Sequence, residues 1–213
     1  MDASYWHQKW AQGDIGFHQA DYNALMVKHF SELRLNVGAH VFVPLCGKTR
    51  DIGWLLEQGY RVTGAELSEA AVQELFAGLG MTPQVTQDGA LRRYATTDLV
   101  VFVGDVFDVT ARVLGPVHAV YDRAALVALP DDVRRRYAAH VISETGRVPQ
   151  FVLTFTYDQS AMNGPPFSIT ADMVADLFDR DFALRLIECV TLPGSGLKGR
   201  VPAAETAWRL VPL

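Results

Sequence analysis

Two short stretches of the chain carry residues whose types and spacing could bind a nucleoside. In the first, residues 41–51 with the sequence VFVPLCGKTRD, an apolar run ends at a proline and leads into a turn that contains one glycine. The second is Glu66, which ends the next apolar run. A carboxylate at the end of a parallel strand can accept hydrogen bonds from both hydroxyls of a ribose, while the first turn brings backbone N–H groups to the same edge. This pair of stretches therefore favours a cofactor that contains a nucleoside.

The elements that must position these residues form a strand, a turn, a helix and a second strand. Residues 41–43 are β-branched or aromatic and predict a short buried strand, which ends at Pro44 because proline cannot donate to the ladder. The apolar pattern that begins at Asp51 predicts a helix that stops at Gly59. Residues 61–66 predict the second strand.

The glycine content of the turn separates three possible ligands. A dinucleotide fold requires Gly-x-Gly-x-x-Gly, but the turn contains only Gly47, and a phosphate-binding loop requires a glycine where Phe42 stands. A cofactor without phosphates fits a single glycine better, and S-adenosylmethionine is the natural choice. An ordinary structural unit is the alternative, in which Glu66 caps the following helix at Ser68.

Polar residues recur at the ends of the later apolar runs. The predicted strand over residues 99–103 leads to Asp105, and the one over 117–121 leads to Asp122 and Arg123. Open α/β sheets bind ligands at the carboxyl ends of their strands. Asp105 is therefore a candidate acceptor for an adenine amino group, and Arg123 a candidate partner for a carboxylate.

The N-terminal residues predict two helices, over residues 4–12 and 22–33. Trp6 and Trp10 lie one turn apart on the first helix. Two roles are open for this pair. The tryptophans pack into the core, or the segment forms a lid over the open edge of the sheet and places their rings against a ligand.

The rest of the chain predicts further alternation of helices and strands. Asp88-Gly89 predicts a small hairpin, and the Arg134-Arg135-Arg136 run predicts the solvated side of a helix. The other predicted elements are a helix over 69–79, a strand over 150–156, a helix after Thr170, and strands over 183–191 and 206–211.

Composition narrows the class of protein. The 213 residues, 49% hydrophobic and 20% charged, predict one globular domain over residues 1–213. The net charge of −5 argues against a nucleic-acid partner, and the absence of a long apolar run or an N-terminal signal predicts a cytoplasmic protein without membrane contact.

Cys46 and Cys189 form no metal or disulfide pattern, and Cys46 is interpreted as a small buried thiol in the turn rather than a nucleophile. The histidines lack ligand spacing, so no metal is expected.

The motifs taken together resemble the thiopurine S-methyltransferase family in its bacterial form. They extend over nearly the whole chain and comprise W-x-x-x-W at 6–10, FHQ at 17–19, VPLCGK at 43–48, G-x-ELS at 64–68, D-x-F at 105–107, YDRAALVAL at 121–129 and GPPF at 164–167. PLCGK and the DRAALVA segment are the most specific of them. The segment over 193–204 is the least family-like, so the resemblance assigns no role to Arg200.

The resemblance implies an α/β fold: a seven-stranded, mostly parallel, Rossmann-like methyltransferase sheet with helices on both faces, an antiparallel last strand and an N-terminal helical lid over residues 1–36. It implies S-adenosylmethionine as the cofactor, a small-molecule thiol as the other substrate, and a monomer. Phe17 matches the position that faces the methyl acceptor. The implied cofactor contacts are Trp10, Leu45, Glu66, Asp105, Val106 and Arg123.

The implied reaction is transfer of a methyl group to the sulfur of a thiopurine or another aromatic or heterocyclic thiol by in-line displacement. Such thiols are partly ionised near neutral pH, so we expect positioning and partial desolvation to dominate, and we assign no general base. His18 is a candidate only because it follows Phe17. Two alternatives stay open: methylation of selenium or tellurium compounds, and a protein that senses S-adenosylmethionine without turnover.

Overall fold

A computed structural model of the chain describes residues 3–13 and 18–213. Nine strands form one sheet in the order β3-β4-β5-β2-β1-β6-β7-β9-β8. The strands are β1 (His40–Pro44), β2 (Arg61–Glu66), β3 (Gln84–Asp88), β4 (Leu91–Ala95), β5 (Leu99–Val103), β6 (Ala119–Arg123), β7 (Gln150–Tyr157), β8 (Phe182–Thr191) and β9 (Ala203–Pro212).

The described helices lie between these strands. They are α1 (Ala3–Ala11), α2 (Ala24–His29), α3 (Asp51–Glu57), α4 (Glu69–Gly78), α5 (Ala111–Leu114), α6 (Ala125–Ala128), α7 (Asp131–Thr145) and α8 (Ala171–Phe178). Short 3₁₀ helices span Phe30–Leu33, Val106–Asp108 and Gln159–Ala161. No helix in residues 3–13 and 18–213 is both long and apolar enough to cross a membrane.

The centre of the sheet is parallel, as the sequence predicts. Strands β5, β2, β1, β6 and β7 run in the same direction, and β9 lies antiparallel between β7 and β8. The expected count of seven strands is wrong for the sheet as a whole, because the hairpin of β3 and β4 pairs antiparallel with β5 and extends the edge to nine strands. The remaining seven strands include the antiparallel last strand that the resemblance implies.

Two buried clusters cover the two faces of the sheet. On one face, side chains of α2, α3 and α4 such as Met26, Ile52 and Phe76 pack against the strands. On the other face, side chains of α6, α7 and α8 such as Leu126 and Phe178 do the same. Both faces of the strands are therefore buried, which explains why β1 and β6 contain almost continuous apolar runs.

Two local predictions were wrong in detail. The helix predicted over 22–33 is a shorter α2, because the Asn23 side chain accepts the N–H of Met26 and caps the helix at residue 23, while a 3₁₀ turn replaces its last residues. The Arg134 side chain is buried rather than solvated. Its Nε donates to the Leu126 carbonyl at 2.9 Å and its Nη2 to the Leu129 carbonyl at 2.7 Å, so Arg134 fixes the segment after β6.

Candidate functional site

The carboxyl ends of four parallel strands meet at one edge of the sheet. Pro44 of β1 pairs with Ala65 of β2, Glu66 of β2 pairs with Val103 of β5, and β6 lies on the other side of β1. The last residues of these strands and the segments that follow them carry the polar residues that the sequence singles out. The fold therefore brings the β1–α3 turn, Glu66, the turn after β5 and Arg123 to the same edge.

Two residues with positive φ shape the turn after β1. Leu45 has φ of 48° and Gly47 has φ of 51°. Between them, the Cys46 N–H donates to the Ala65 carbonyl at 2.9 Å, which ties the turn to β2. A left-handed conformation at Leu45 is unusual for a residue with a side chain, so the turn is held by its surroundings.

Glu66 is a buried carboxylate that bridges this turn and the start of α4. Its Oε2 accepts the Gly47 N–H at 2.8 Å and its Oε1 accepts the Ser68 N–H at 2.8 Å. The cap of α4 is Ser68 itself, whose hydroxyl accepts the Ala71 N–H at 3.3 Å. The capping alternative for Glu66 therefore accounts for only part of its contacts, and the bond from Gly47 directs the carboxylate to the β1–α3 turn.

The ionisation of Glu66 reflects two opposing effects. Burial raises its pKa, whereas hydrogen bonds from the backbone N–H groups of Ser68, Gly47 and Leu67 lower it. Each carboxylate oxygen can accept two hydrogen bonds, so an oxygen that holds one N–H can still accept a hydroxyl. The two carboxylate oxygens are therefore acceptors that suit two neighbouring hydroxyl groups, as in a ribose.

Helix α1 approaches the same turn from outside the sheet. A Cβ built on Gly47 would lie 3.1 Å from Cζ2 of Trp10, and Nζ of Lys48 lies 5.9 Å from the centre of a Trp10 ring. The indole therefore covers the glycine of the turn. A side chain at residue 47 would push against this ring in a backbone conformation that already disfavours side chains.

Arg123 ends β6 and contacts the start of α3. Its Nη1 donates to the Thr49 hydroxyl at 2.8 Å and lies 3.4 Å from Oδ2 of Asp51. Asp51 is fully buried and also accepts the Tyr121 hydroxyl at 2.7 Å. The Nε and Nη2 atoms of Arg123 form no hydrogen bond with the described part of the chain, and they are the atoms with which this guanidinium could bind a carboxylate.

The turn after β5 carries Asp105 and Val106. The exposed Asp105 caps a 3₁₀ turn by accepting the Phe107 N–H at 3.0 Å. Nε2 of His140 on α7 lies 3.0 Å from the Val106 carbonyl oxygen and 3.1 Å from that of Val109. These contacts join the turn to α7. The structure thus places Asp105 and Val106 at the same edge as Glu66, one strand away.

Not every predicted residue can be placed. Phe17 lies outside the described residues. The neighbouring His18 is partly buried, and its pKa is lowered by this burial and further by the positive charges of Lys48, Arg123 and Arg50. The carboxylate of Glu74, which pairs with Lys48 at 2.5 Å, acts on the pKa of His18 in the opposite direction.

Cys46 is the buried thiol that the sequence predicts. Burial raises its pKa well above the usual value, with the negative charge of Glu66 acting in the same direction. Its Sγ lies 2.8 Å from a Cβ built on Gly64, so the thiol fills the space between β1 and β2. A protonated thiol in this position is a packing group and not a nucleophile.

Sequence reasoning missed several residues that hold the site. Asp51 begins α3 in the predicted place, but nothing local marks its carboxylate as the partner of Tyr121 and Arg123. The hydrogen bond between Asn23 and Glu205 joins residues 182 positions apart. Only the three-dimensional arrangement reveals such contacts. Within the described residues, no group of three or more His, Cys, Asp or Glu side chains could hold a metal ion.

A comparison with protein families gives one match over most of the chain. The model of the family described as thiopurine S-methyltransferase matches residues 1–198. A thiopurine S-methyltransferase of Xanthobacter autotrophicus is 50% identical over 211 residues, which cover 99% of each chain. That of Gluconobacter oxydans is 45% identical over 212 residues, which cover 100% of this chain and 96% of the other.

Solved structures share the fold at lower identity. An S-adenosylmethionine-dependent methyltransferase of Anabaena variabilis superposes with a TM-score of 0.66 at 15% identity, covering 98% of this chain and 94% of the other. A magnesium protoporphyrin IX methyltransferase of Synechocystis, solved with bound S-adenosylhomocysteine, gives 0.64 at 11% identity and covers 99% and 100%. These likenesses identify the α/β methyltransferase fold.

Proposed function

Because this chain belongs to the thiopurine S-methyltransferase family, we propose that it transfers a methyl group from S-adenosylmethionine to the sulfur of thiopurines and other aromatic or heterocyclic thiols. The observation that carries the proposal is the family match together with the bond from Gly47 to Glu66, which places a buried carboxylate at the one-glycine turn. One glycine and one such carboxylate suit a nucleoside cofactor that carries no phosphate.

The proposed cofactor contacts are those that the resemblance implies. Glu66 accepts the ribose hydroxyls, and Arg123 uses its Nε and Nη2 atoms to bind a carboxylate. Asp105 and Val106 contact the adenine, with the turn held by His140. Leu45 and Trp10 contact the cofactor from the turn and from α1. The positive φ at Leu45 and the close approach of Trp10 to Gly47 support this assignment.

In this reaction, the cofactor supplies an electrophilic methyl group on a sulfonium centre. The chain binds and orients both partners, and it excludes water from between them. Burial lowers the pKa of His18, and the charges of Lys48, Arg50 and Arg123 act in the same direction, while that of Glu74 opposes them. We assign no general base, because a thiopurine-like thiol is acidic enough to be partly ionised near neutral pH, and we propose that Phe17 faces the acceptor.

We propose one methyltransferase domain that spans residues 1–213, with α1 as its lid, because Trp10 of α1 lies against the β1–α3 turn. The lid expected over residues 1–36 is too long, since Met26 and Phe30 are fully buried in the cluster that packs against the sheet. We also propose that the protein acts as a cytoplasmic monomer on small molecules, with neither nucleic acid nor membrane as a partner; the net charge of −5 supports the absence of nucleic acid.

The direct test uses purified protein, S-adenosylmethionine with a labelled methyl group, and 6-mercaptopurine. We expect the label on the sulfur of the purine. Binding of the cofactor without transfer to 6-mercaptopurine or thiophenol would contradict the proposed activity and support a sensor instead. A parallel incubation with selenide and with telluride, followed by analysis of the volatile products, decides whether selenium or tellurium compounds are also acceptors.

A further inference from the structure

A buried polar network beside Arg123 has no part in the proposed chemistry. It comprises Asn23 at the start of α2, Asp51 at the start of α3 and Glu205 on β9, whose exposed fractions are 2%, 0% and 8%. Buried polar groups with long-range partners cost free energy unless every bond is made, so their geometry is tightly defined. The network therefore fixes the relative positions of three elements around the site.

Asn23 makes a different hydrogen bond with each of three groups. Its side-chain oxygen accepts the Met26 N–H at 3.1 Å and caps α2. Its backbone N–H donates to Oδ1 of Asp51 at 2.8 Å, and its Nδ2 donates to Oε1 of Glu205 at 2.9 Å. Because the oxygen is used for the cap, the amide is oriented with its NH₂ group toward β9, where only an acceptor such as Glu205 satisfies it.

Glu205 lies close enough to Arg123 for their charges to interact. Burial raises the pKa of Glu205, while the hydrogen bond from Asn23 and the positive charge of Arg123 lower it. Asp51 contacts both Asn23 and Arg123. Its Oδ1 accepts the Asn23 N–H, and its Oδ2 lies 3.4 Å from Nη1 of Arg123. A continuous path of contacts thus runs from Glu205 through Asn23 and Asp51 to Arg123.

We propose that Asn23 and Glu205 are positioning residues for the cofactor site, which hold the Asp51 carboxylate against Arg123 and fix the point where the N-terminal segment enters the body of the protein. This inference rests on the proposed role of Arg123 in binding the cofactor. Neither residue contacts the cofactor in this account, and both act through Asp51.

A second contact between α2 and the sheet provides a matched control. Lys28 and His29 bind Glu188 on β8, with Nζ of Lys28 at 2.7 and 2.9 Å from the two carboxylate oxygens and Nε2 of His29 at 2.5 Å from one of them. This contact also joins α2 to the sheet through a glutamate. It does not reach Asp51 or Arg123 through any hydrogen bond of the described residues.

The test compares Glu205→Ala, Glu205→Gln and Glu188→Ala by calorimetric titration with S-adenosylhomocysteine at 25 °C. Glu205→Ala leaves the Asn23 amide unpaired, and we expect about a tenfold increase in Kd. Glu205→Gln keeps an oxygen that accepts from Asn23, so we expect most of the affinity to return. Glu188→Ala is expected to bind as the wild type does.

A second variant keeps the test informative if Glu205→Ala fails to fold. Asn23→Ser retains a capping hydroxyl for α2 but does not reach Glu205, and we expect the same tenfold effect. A lower melting temperature with unchanged Kd for both variants would overturn the proposal, since a purely structural role predicts that result. Equal losses for Glu205→Gln and Glu205→Ala would also overturn it, because the hydrogen bond would not be the cause.

The readout separates this inference from the proposed function. Cofactor affinity is measured without a methyl acceptor, so an absence of transfer to thiols in the wild type would contradict the proposed function and leave the comparison of Kd values intact. Conversely, active wild-type protein with equal Kd values in all variants would contradict only the positioning role.

Discussion

Removal of the Glu66 carboxylate is the most informative perturbation of the site. Both carboxylate oxygens hold a backbone N–H at 2.8 Å, from Gly47 and from Ser68, and the carboxylate can accept further hydrogen bonds from a ribose. A hydrogen bond to a charged group contributes about 1.5–3 kcal/mol. We therefore expect Glu66→Ala to weaken the binding of S-adenosylhomocysteine by roughly 10- to 150-fold in Kd.

The same substitution has a structural effect that must be separated from the loss of ribose contacts. It leaves two N–H groups without their acceptor, which costs free energy, but it also removes a buried carboxylate whose desolvation is costly. These terms oppose each other, so the loss of folding stability is expected to be smaller than the loss of binding free energy. Urea unfolding of the unliganded protein measures the first term and calorimetry the second.

A pair of ligands isolates the contact itself. The wild type should bind the 2′-deoxyribose analogue of S-adenosylhomocysteine more weakly than the parent, whereas Glu66→Ala should discriminate much less between the two. Glu69→Ala is the control, because this neighbouring carboxylate on α4 pairs with Arg92 of β4 at 2.6 Å and not with the turn. Equal discrimination between the two ligands in wild type and Glu66→Ala would refute the ribose assignment.

Three further substitutions test other parts of the account. Arg123→Ala should lower kcat/KM at least tenfold with a folded circular dichroism spectrum; loss of the fold instead would favour a purely structural ion pair. Gly47→Ala should strain the turn by about 1–3 kcal/mol and push on Trp10, so calorimetry should detect much weaker cofactor binding, while unchanged affinity would exclude this close approach. Burial raises the pKa of Asp122 from 3.8 to about 6, so the folded protein favours the protonated carboxyl group. The gain in the free energy of unfolding is therefore fully present below about pH 4 and is lost as the pH rises through about 6. Asp122→Asn, which keeps an acceptor for Tyr137, should remove up to about 3 kcal/mol of this pH dependence in urea unfolding, and parallel curves would contradict the shift.

The cofactor edge could be predicted from the sequence because its signals are local. All three signals lie between residues 41 and 66: an apolar run that ends in Pro44, a glycine in the turn, and the carboxylate of Glu66. The parallel pairing of β1 with β2 brings them to the same edge of the sheet. The hairpin at Asp88-Gly89 was also predicted, but its pairing with β5 was not, because strand order depends on contacts that are distant in the sequence.

Other features could not be predicted because tertiary contacts override the local pattern. Arg134 belongs to a run of three arginines that is typical of a solvated helix face. Its guanidinium is nevertheless buried, because it donates to the backbone carbonyls of residues 126 and 129. Asn23 and Glu205 are individually unremarkable polar residues in the sequence. Their bond exists only because α2 and β9 meet beside Arg123.

The proposed function requires the adenosyl cofactor to lie across the carboxyl ends of the strands with its ribose on Glu66. A crystal structure with bound S-adenosylhomocysteine tests it most directly. We expect both ribose hydroxyls within hydrogen-bond distance of the Glu66 carboxylate and the amino-acid carboxylate beside Arg123. A ligand bound elsewhere, with Glu66 still joined only to Gly47 and Ser68, would contradict it.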